Sequence, residues 1–346
     1  MTTAPLSFAQ ERLWVLREID DGVDPYSIVT VVRLNGPLDV ERLERAFADL
    51  VRRHDALRSH VVVADDRPLM HVDDPDTAAA QFHLHRTDDL ESVLRQPFRL
   101  DEGPLLRVAL EEVANDVHLL GVAVHHLVAD AWSFGILAAE LSARYAGEEL
   151  PPLATTYASW AMEQRARHAD ASPDADLAYW TALLADRTVV ELPTDRPRPP
   201  VRQHRGDTVS FTVPPDLVER LRRPGFTPFM TLLSALSLVH ARWSGRADIP
   251  IATPIAGRDR IDVEGLIGCF VNTIVLCVDL SSDPTVDELQ RRVRRTCLEG
   301  LDHGRTPFEQ IVTAVAPTRS LSSLPFAQVS LVVQNAPEGR LRLDGV

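Results

Sequence analysis

Cysteine is scarce, three residues in 346. An odd and small number does not make a disulfide framework. Cys269 and Cys277 fall in a segment, 269–280, that reads as one extended strand. At strand rise they would stand about 26 Å apart, far beyond disulfide reach. Long apolar runs are missing too. No stretch reaches the length of a membrane span, and the first residues lack an apolar signal core. These absences predict a cytoplasmic chain. Positive charge is in deficit: 36 Lys and Arg stand against 50 Asp and Glu, a formal net charge of -14. That balance argues against nucleic acid or an anionic membrane as a partner. No phosphate loop, dinucleotide fingerprint or zinc spacing occurs, and no short repeat or low-complexity segment.

What remains is an ordinary globular composition, 45% hydrophobic and 25% charged. The length exceeds a typical single core and predicts two domains. Periodicity predicts mixed α and β structure. A helix runs from Ser7, its cap, to about Ile19, with Gly22 past its end. A β-branched strand covers Ser27–Leu34. Asp39 caps a helix to about Arg53, with Leu43, Phe47 and Leu50 on one face. Strands follow near 57–63, 80–84, 105–112 and 117–124, then a helix over 132–145 and two helices between 155 and 185. Glu191–Pro200 holds four prolines in ten residues, so it is neither helix nor central strand. A second set follows: strand 207–213, helix 228–243, strands 249–253 and 269–280, helices 285–302 and 307–316, strand 326–334.

The most informative run is Val122-Ala-Val-His125-His126-Leu-Val-Ala-Asp130-Ala131-Trp132-Ser133. An apolar strand leads into two histidines, which places His126 where strand meets loop. An imidazole there can accept a proton near neutral pH. The competing reading is a hydrogen-bonded core histidine. Adjacent strand residues point to opposite faces, so the pair does not easily share a metal ion.

The run resembles the H-H-x-x-x-D-G signature of condensation domains of nonribosomal peptide synthetases, within the chloramphenicol-acetyltransferase-like acyltransferases. Further segments match in the family's order: Ser7-Phe-Ala9-Gln10-Glu-Arg12-Leu13-Trp14, Arg53-His54-Asp55-Ala-Leu57-Arg58-Ser59, Tyr157-Ala-Ser-Trp160, Ile267-Gly268-Cys-Phe270-Val271-Asn272-Thr273 and His303-Gly-Arg-Thr-Pro307-Phe308-Glu309. The resemblance covers essentially the whole chain. It implies two acetyltransferase-like lobes forming a V around a tunnel. The boundaries would be residues 1–185, a linker over 186–206, and residues 207–346, a lobe short of the usual family end.

The implied activity is amide-bond formation between a carrier-bound acyl or peptidyl thioester and a carrier-bound aminoacyl acceptor. Carrier proteins would bring phosphopantetheine arms; the domain itself would need no cofactor and no metal. Two alternatives stay open: an acyltransferase using a soluble amine or alcohol, and a non-catalytic docking domain.

His126 is the candidate catalytic residue, as base or as positioner of the amine. His125 is expected to be structural. Asp130 either orients the imidazole or, as the resemblance favours, pairs with an arginine, for which Arg58 is the candidate. Ser133 can cap the following helix, and Trp132 reads as packing. Ala131 replaces the family glycine, harmless at negative φ and obstructive otherwise. The loop Thr253–Arg258, with Gly257, resembles the segment that floors the tunnel. Asn272, polar in an apolar strand, needs a hydrogen-bond partner or lines the site. Arg319–Pro325 is a loose version of a further family motif.

Overall fold

Contacts in the computed structural model divide the chain into two units. One comprises Met1–Ala171, Arg258–Val271 and Asn335–Val346, the other Ser172–Gly257 and Asn272–Gln334. The residues described are 2–19, 25–169, 175–187, 189–197, 206–315, 325–334 and 339–346.

The first unit opens with β1 (Thr2–Pro5), α1 (Phe8–Ile19), β2 (Ser27–Asn35) and α2 (Val40–Arg53). After a single 3₁₀ turn, Asp55–Arg58, come β3 (Ser59–Ala64), β4 (Arg67–Val72), α3 (Pro75–Gln81), β5 (His85–Arg86) and α4 (Leu90–Leu94). Then follow β6 (Leu106–Ala114), β7 (Val117–His125), α5 (Ala131–Ala146) and α6 (Tyr157–Ala169). The second unit holds α7 (Ala175–Leu184), α8 (Pro215–Leu221), α9 (Pro228–Ser244) and β8 (Asp248–Ile255). The short α10 (Ile261–Glu264) belongs to the first unit; β9 (Asn272–Asp279), α11 (Val286–Asp302) and α12 (Phe308–Val315) complete the second.

The caps follow from the residues. Ser7 Oγ accepts from Gln10 N at 3.1 Å, Asp39 from Arg42 N at 2.9 Å and Thr227 from Met230 N at 3.2 Å. Each satisfies a first-turn N–H that has no helical partner. Leu43, Phe47 and Leu50 lie on one face of α2 and are fully buried where α2 packs on α3 and α5. In the four-stranded sheet, order β2-β7-β6-β5, the apolar β7 is central. Its Gly121 leaves room for α4, because a Cβ there would sit 2.4 Å from Leu94 Cδ1. A three-stranded sheet, order β1-β4-β3, completes the first unit's β structure. In the second unit, β8 pairs with β9 and α11 packs on β9 and α9.

Several expectations need correction. Residues 80–84 are not a strand: Asp74 caps α3 through Thr77 N, and the chain then runs extended. Phe82 and Leu84 are buried in alternation, but Leu84 N bonds to Glu44 Oε1 rather than to a neighbouring strand. Segment 207–213 alternates likewise, yet Val209 is 86% and Phe211 84% exposed, and no described strand pairs with it. In 325–334 only Ser330 bridges, to Ala252 of β8. Cys269 precedes β9 rather than sharing a strand with Cys277, and β4, α3 and α4 were not expected at all. Contacts also assign residues 258–271 of the second half to the first unit. Gly22, parts of the linker and Arg319–Leu324 lie outside the described residues.

Phe47 is 0% exposed among other buried side chains. Phe47→Ala should therefore lower the unfolding free energy by about 3–5 kcal/mol, the usual cost of such a cavity. The urea midpoint measures this; a loss under about 1 kcal/mol would mean that the helix does not pack as described.

Candidate active site at the histidine turn

β7 delivers its last residue, His125, into a tight turn in which Val128 N bonds to His125 O at 3.0 Å. His126 N continues the ladder to Tyr26 O at 2.8 Å. Within 121–130 every residue is buried except His126, which is partly exposed. The two imidazoles therefore have different surroundings. His125 is 0% exposed, and its Nδ1 accepts from Leu127 N at 3.0 Å. Tyr26 and Phe98 meet its ring edge-on. Those are the surroundings of a core histidine. Burial holds the His126 ring below its ordinary value of 6.5, against a raising influence from Asp130 and from backbone carbonyls. Near neutral pH the ring is therefore neutral, with a nitrogen able to accept a proton.

Asp130 does pair with an arginine, but not with Arg58. It is the N-cap of α5, its Oδ1 accepting from Ser133 N at 2.9 Å and Ser133 Oγ at 2.7 Å. Ser133 is thus the reciprocal partner in a capping box rather than the cap itself. The arginine paired with Asp130 is Arg258, whose Nη2 lies 3.1 and 3.2 Å from the two carboxylate oxygens. Phe270 N adds a further bond at 3.1 Å. Side-chain exposure is 6% for Asp130 and 1% for Arg258. Burial pulls the Arg258 guanidinium down and Asp130 pushes it back up. Arg258 Nη1 donates to Val263 O and Leu266 O, and the guanidinium lies 4.0 Å from the Phe270 ring centre. Arg58 instead donates to the Asp73 carbonyl at 2.5 Å, among Asp55, Asp73 and Asp74. Charge and motif membership cannot tell which of two arginines, one near and one far in sequence, the fold brings to a carboxylate.

The remaining motifs explain the turn's rigidity. Gln10 is fully buried; its Nε2 donates to Leu127 O at 3.0 Å, while its Oε1 accepts from Ser7 N at 3.0 Å. Ser7 Oγ lies 2.9 Å from Tyr157 Oη, and Tyr157 donates to Cys269 O at 2.8 Å. Burial raises the Tyr157 phenol well above its ordinary range, so it stays a donor. Cys269 Sγ in turn stands 3.8 Å from His126 Nδ1. Asp55 accepts from Tyr157 N at 3.0 Å and Ala158 N at 2.9 Å, closing the start of α6. Gly268 allows this packing, since a Cβ there would sit 2.1 Å from Tyr157 Cδ2. Gln10, Tyr157, Arg258 and Cys269 were not singled out as site residues in the sequence, although all four stand in segments already picked out.

The expected tunnel residues are distributed. Ala131 is the exposed first residue of α5, outside the residues with positive φ. Trp132 is half-buried and donates from Nε1 to Glu264 O at 3.0 Å. Of the segment Thr253–Arg258 expected to be a loop, Thr253–Ile255 belong to β8 and pair with β9; Gly257 follows at φ +64, in the left-handed region. Asn272 is committed to backbone groups of the second unit. Its Nδ2 donates to Gly304 O at 2.9 Å and Thr306 O at 2.7 Å, and its Oδ1 accepts from Phe308 N at 3.0 Å. His303 of the same motif is held by Asp176 at 2.7 Å.

The chain is similar to known proteins over nearly its whole length. The family model described as Condensation domain matches residues 1–341. Malpinin synthetase of Mortierella alpina is 38% identical over 362 residues, 99% of this chain and 5% of that protein. A linear gramicidin synthase of Brevibacillus parabrevis is 39% identical over 357 residues, 97% of this chain and 7% of that protein. The chain thus spans a small part of the length of these relatives. The X-domain solved in complex with OxyB from teicoplanin biosynthesis superposes with a TM-score of 0.83 at 30% identity. It matches 95% of this chain, which covers 77% of that one.

Removing one partner of a buried ion pair costs about 3–5 kcal/mol. Asp130→Asn and Arg258→Met should each cost an amount of that order, with the double variant well short of the sum. Arg58→Ala should be additive with Asp130→Asn. Thermal or urea unfolding of the set decides: strong coupling to Arg58, or none to Arg258, would contradict the pairing.

Proposed function

We propose that this chain, which belongs to the condensation-domain family of nonribosomal peptide synthetases, catalyses amide-bond formation between a carrier-bound acyl or peptidyl thioester and a carrier-bound aminoacyl group. The observation that carries this reading is the exposure of His126, alone within 121–130, as a neutral imidazole on a rigid turn. The acceptor amine attacks the thioester carbonyl, the new C–N bond forms, and the C–S bond breaks to release the donor's pantetheine thiol. The thioester is already activated, so no covalent enzyme intermediate is required. The proton lost by the attacking nitrogen passes to the departing thiolate, which leaves as the thiol, either through His126 or directly while His126 holds the amine in place. Two tethered substrates held together supply much of the acceleration through proximity. Partner carrier proteins provide the phosphopantetheine arms.

Ala131 is compatible with this chemistry. It starts a helix with right-handed backbone, where alanine is favoured, and its methyl group meets no φ penalty. A second reading, a non-catalytic docking domain, draws support from the likeness to the teicoplanin X-domain, which was solved bound to another protein.

With loaded carriers as substrates, His126→Ala should keep the fold and lower product formation by about 100-fold or more. Near-normal turnover would remove His126 from the mechanism. A folded wild type with no turnover would favour docking. Protonation removes the acceptor nitrogen, so kcat/KM should fall as pH drops. Because burial lowers this group, that limb should lie below pH 6.5. A limb centred above 6.5 would contradict the assignment. Ala131→Gly should change turnover by less than about threefold; a large gain would mean that the alanine has turned the enzyme down.

A further inference from the structure

We propose that His60, His71 and Asp73 form a site for a divalent transition metal such as Zn²⁺. The site lies on the three-stranded sheet of the first unit and is independent of the proposed condensation chemistry. His60 of β3 and His71 of β4 are directly opposite in the antiparallel register. Asp73 follows His71 by two residues and continues the pairing, its N bonded to Arg58 O at 3.0 Å. The strand period of two therefore puts all three side chains on one face. Their ligand atoms lie within 4.8 Å of one another.

The separations suit an ion better than hydrogen bonds. His60 Nδ1 is 3.5 Å from Asp73 Oδ2, and His71 Nε2 is 3.6 Å from Asp73 Oδ1. Both are long for hydrogen bonds. The two end on different oxygens of Asp73, so the carboxylate faces both imidazoles, and each is of the order, about 3.4 Å, of the donor–donor separation around an ion with bonds near 2.0–2.1 Å. His60 Nδ1 is buried and has no hydrogen-bond partner among the described residues. Gly103 keeps the approach open: a Cβ there would lie 3.3 Å from His60 Nδ1 and 3.5 Å from Asp73 Oδ2. Side-chain exposures of 17%, 22% and 33% for His60, His71 and Asp73 leave a path for the ion and room for a water ligand. Arg58 is a neighbouring positive charge. Its Nη1 is bonded to the Asp73 carbonyl, which leaves the carboxylate available, and Asp55 and Asp74 offset its charge. Two imidazoles and one carboxylate suit a zinc-like ion rather than Ca²⁺ or Mg²⁺.

The test is titration of tag-free, full-length protein with Co²⁺, read by its visible absorption, and competition by Zn²⁺. Wild type should show a saturable tetrahedral-type spectrum that Zn²⁺ abolishes, and Zn²⁺ should raise its Tm. His71→Ala and the near-isosteric Asp73→Asn should each weaken binding on the order of 100-fold and abolish the Tm rise. His83→Ala, a 76% exposed side chain elsewhere, should change neither. Circular dichroism identifies a variant that fails to fold, in which case Asp73→Asn decides. Wild type without the spectrum, or binding that survives both ligand substitutions, would overturn the site. Neither outcome bears on condensation activity.

Discussion

The buried Asp130 carboxylate is the constraint on which the first unit's site depends. A charge this deep needs partners for both oxygens, and no single element supplies them. The N-terminus of α5 provides Ser133 N and Oγ, and the segment 258–271 provides Arg258 and Phe270 N. Meeting that demand draws a stretch of the chain's second half into the first unit. Arg258 then has its own requirements, met by the carbonyls of Val263 and Leu266. The segment is folded around the ion pair rather than merely touching it.

The histidine turn is fixed from the other side by neutral groups. Gln10 grips Leu127 O, and the Ser7–Tyr157–Cys269 chain orders its donors in one direction. Gln10 N donates to Ser7 Oγ, Ser7 to Tyr157 Oη, and Tyr157 to the Cys269 carbonyl. With these bonds the backbone on both sides of His126 is held in place. A rigid turn with one accessible imidazole is the geometry that proton transfer in a preorganised site requires.

Most helices and the central strands were legible because their causes are local: caps at Ser7 and Asp39, the apolar face of α2, and the apolar runs of the strands. The position of His125 and His126 was legible for the same reason, an apolar strand ending at a polar pair. Pairing was not. Segments 80–84 and 207–213 alternate as strands do, but alternation records which side is buried or could be, not whether a neighbour is present to bond with. The partner of Asp130 was missed on similar grounds. Arg58 and Arg258 are chemically equivalent in sequence, and only the fold tells that one is held by the Asp73 carbonyl while the other reaches the carboxylate.

The same limit explains how two pairs of histidines come to have opposite geometry. His125 and His126 are adjacent, and strand geometry drives them apart: one into the core, between Tyr26 and Phe98, the other toward the accessible surface. His60 and His71 are separated by a hairpin whose turn, Asp65-Asp66, takes positive φ at both residues. That turn sets the register of β3 on β4 and brings the two rings to 4.9 Å. Nearness in sequence is thus a poor guide to shared chemistry on a sheet. A pair of ligands is recognised by parity and register, and register is determined by turn conformation and by the buried face, Val61 and Met70, that the hairpin lays against the core.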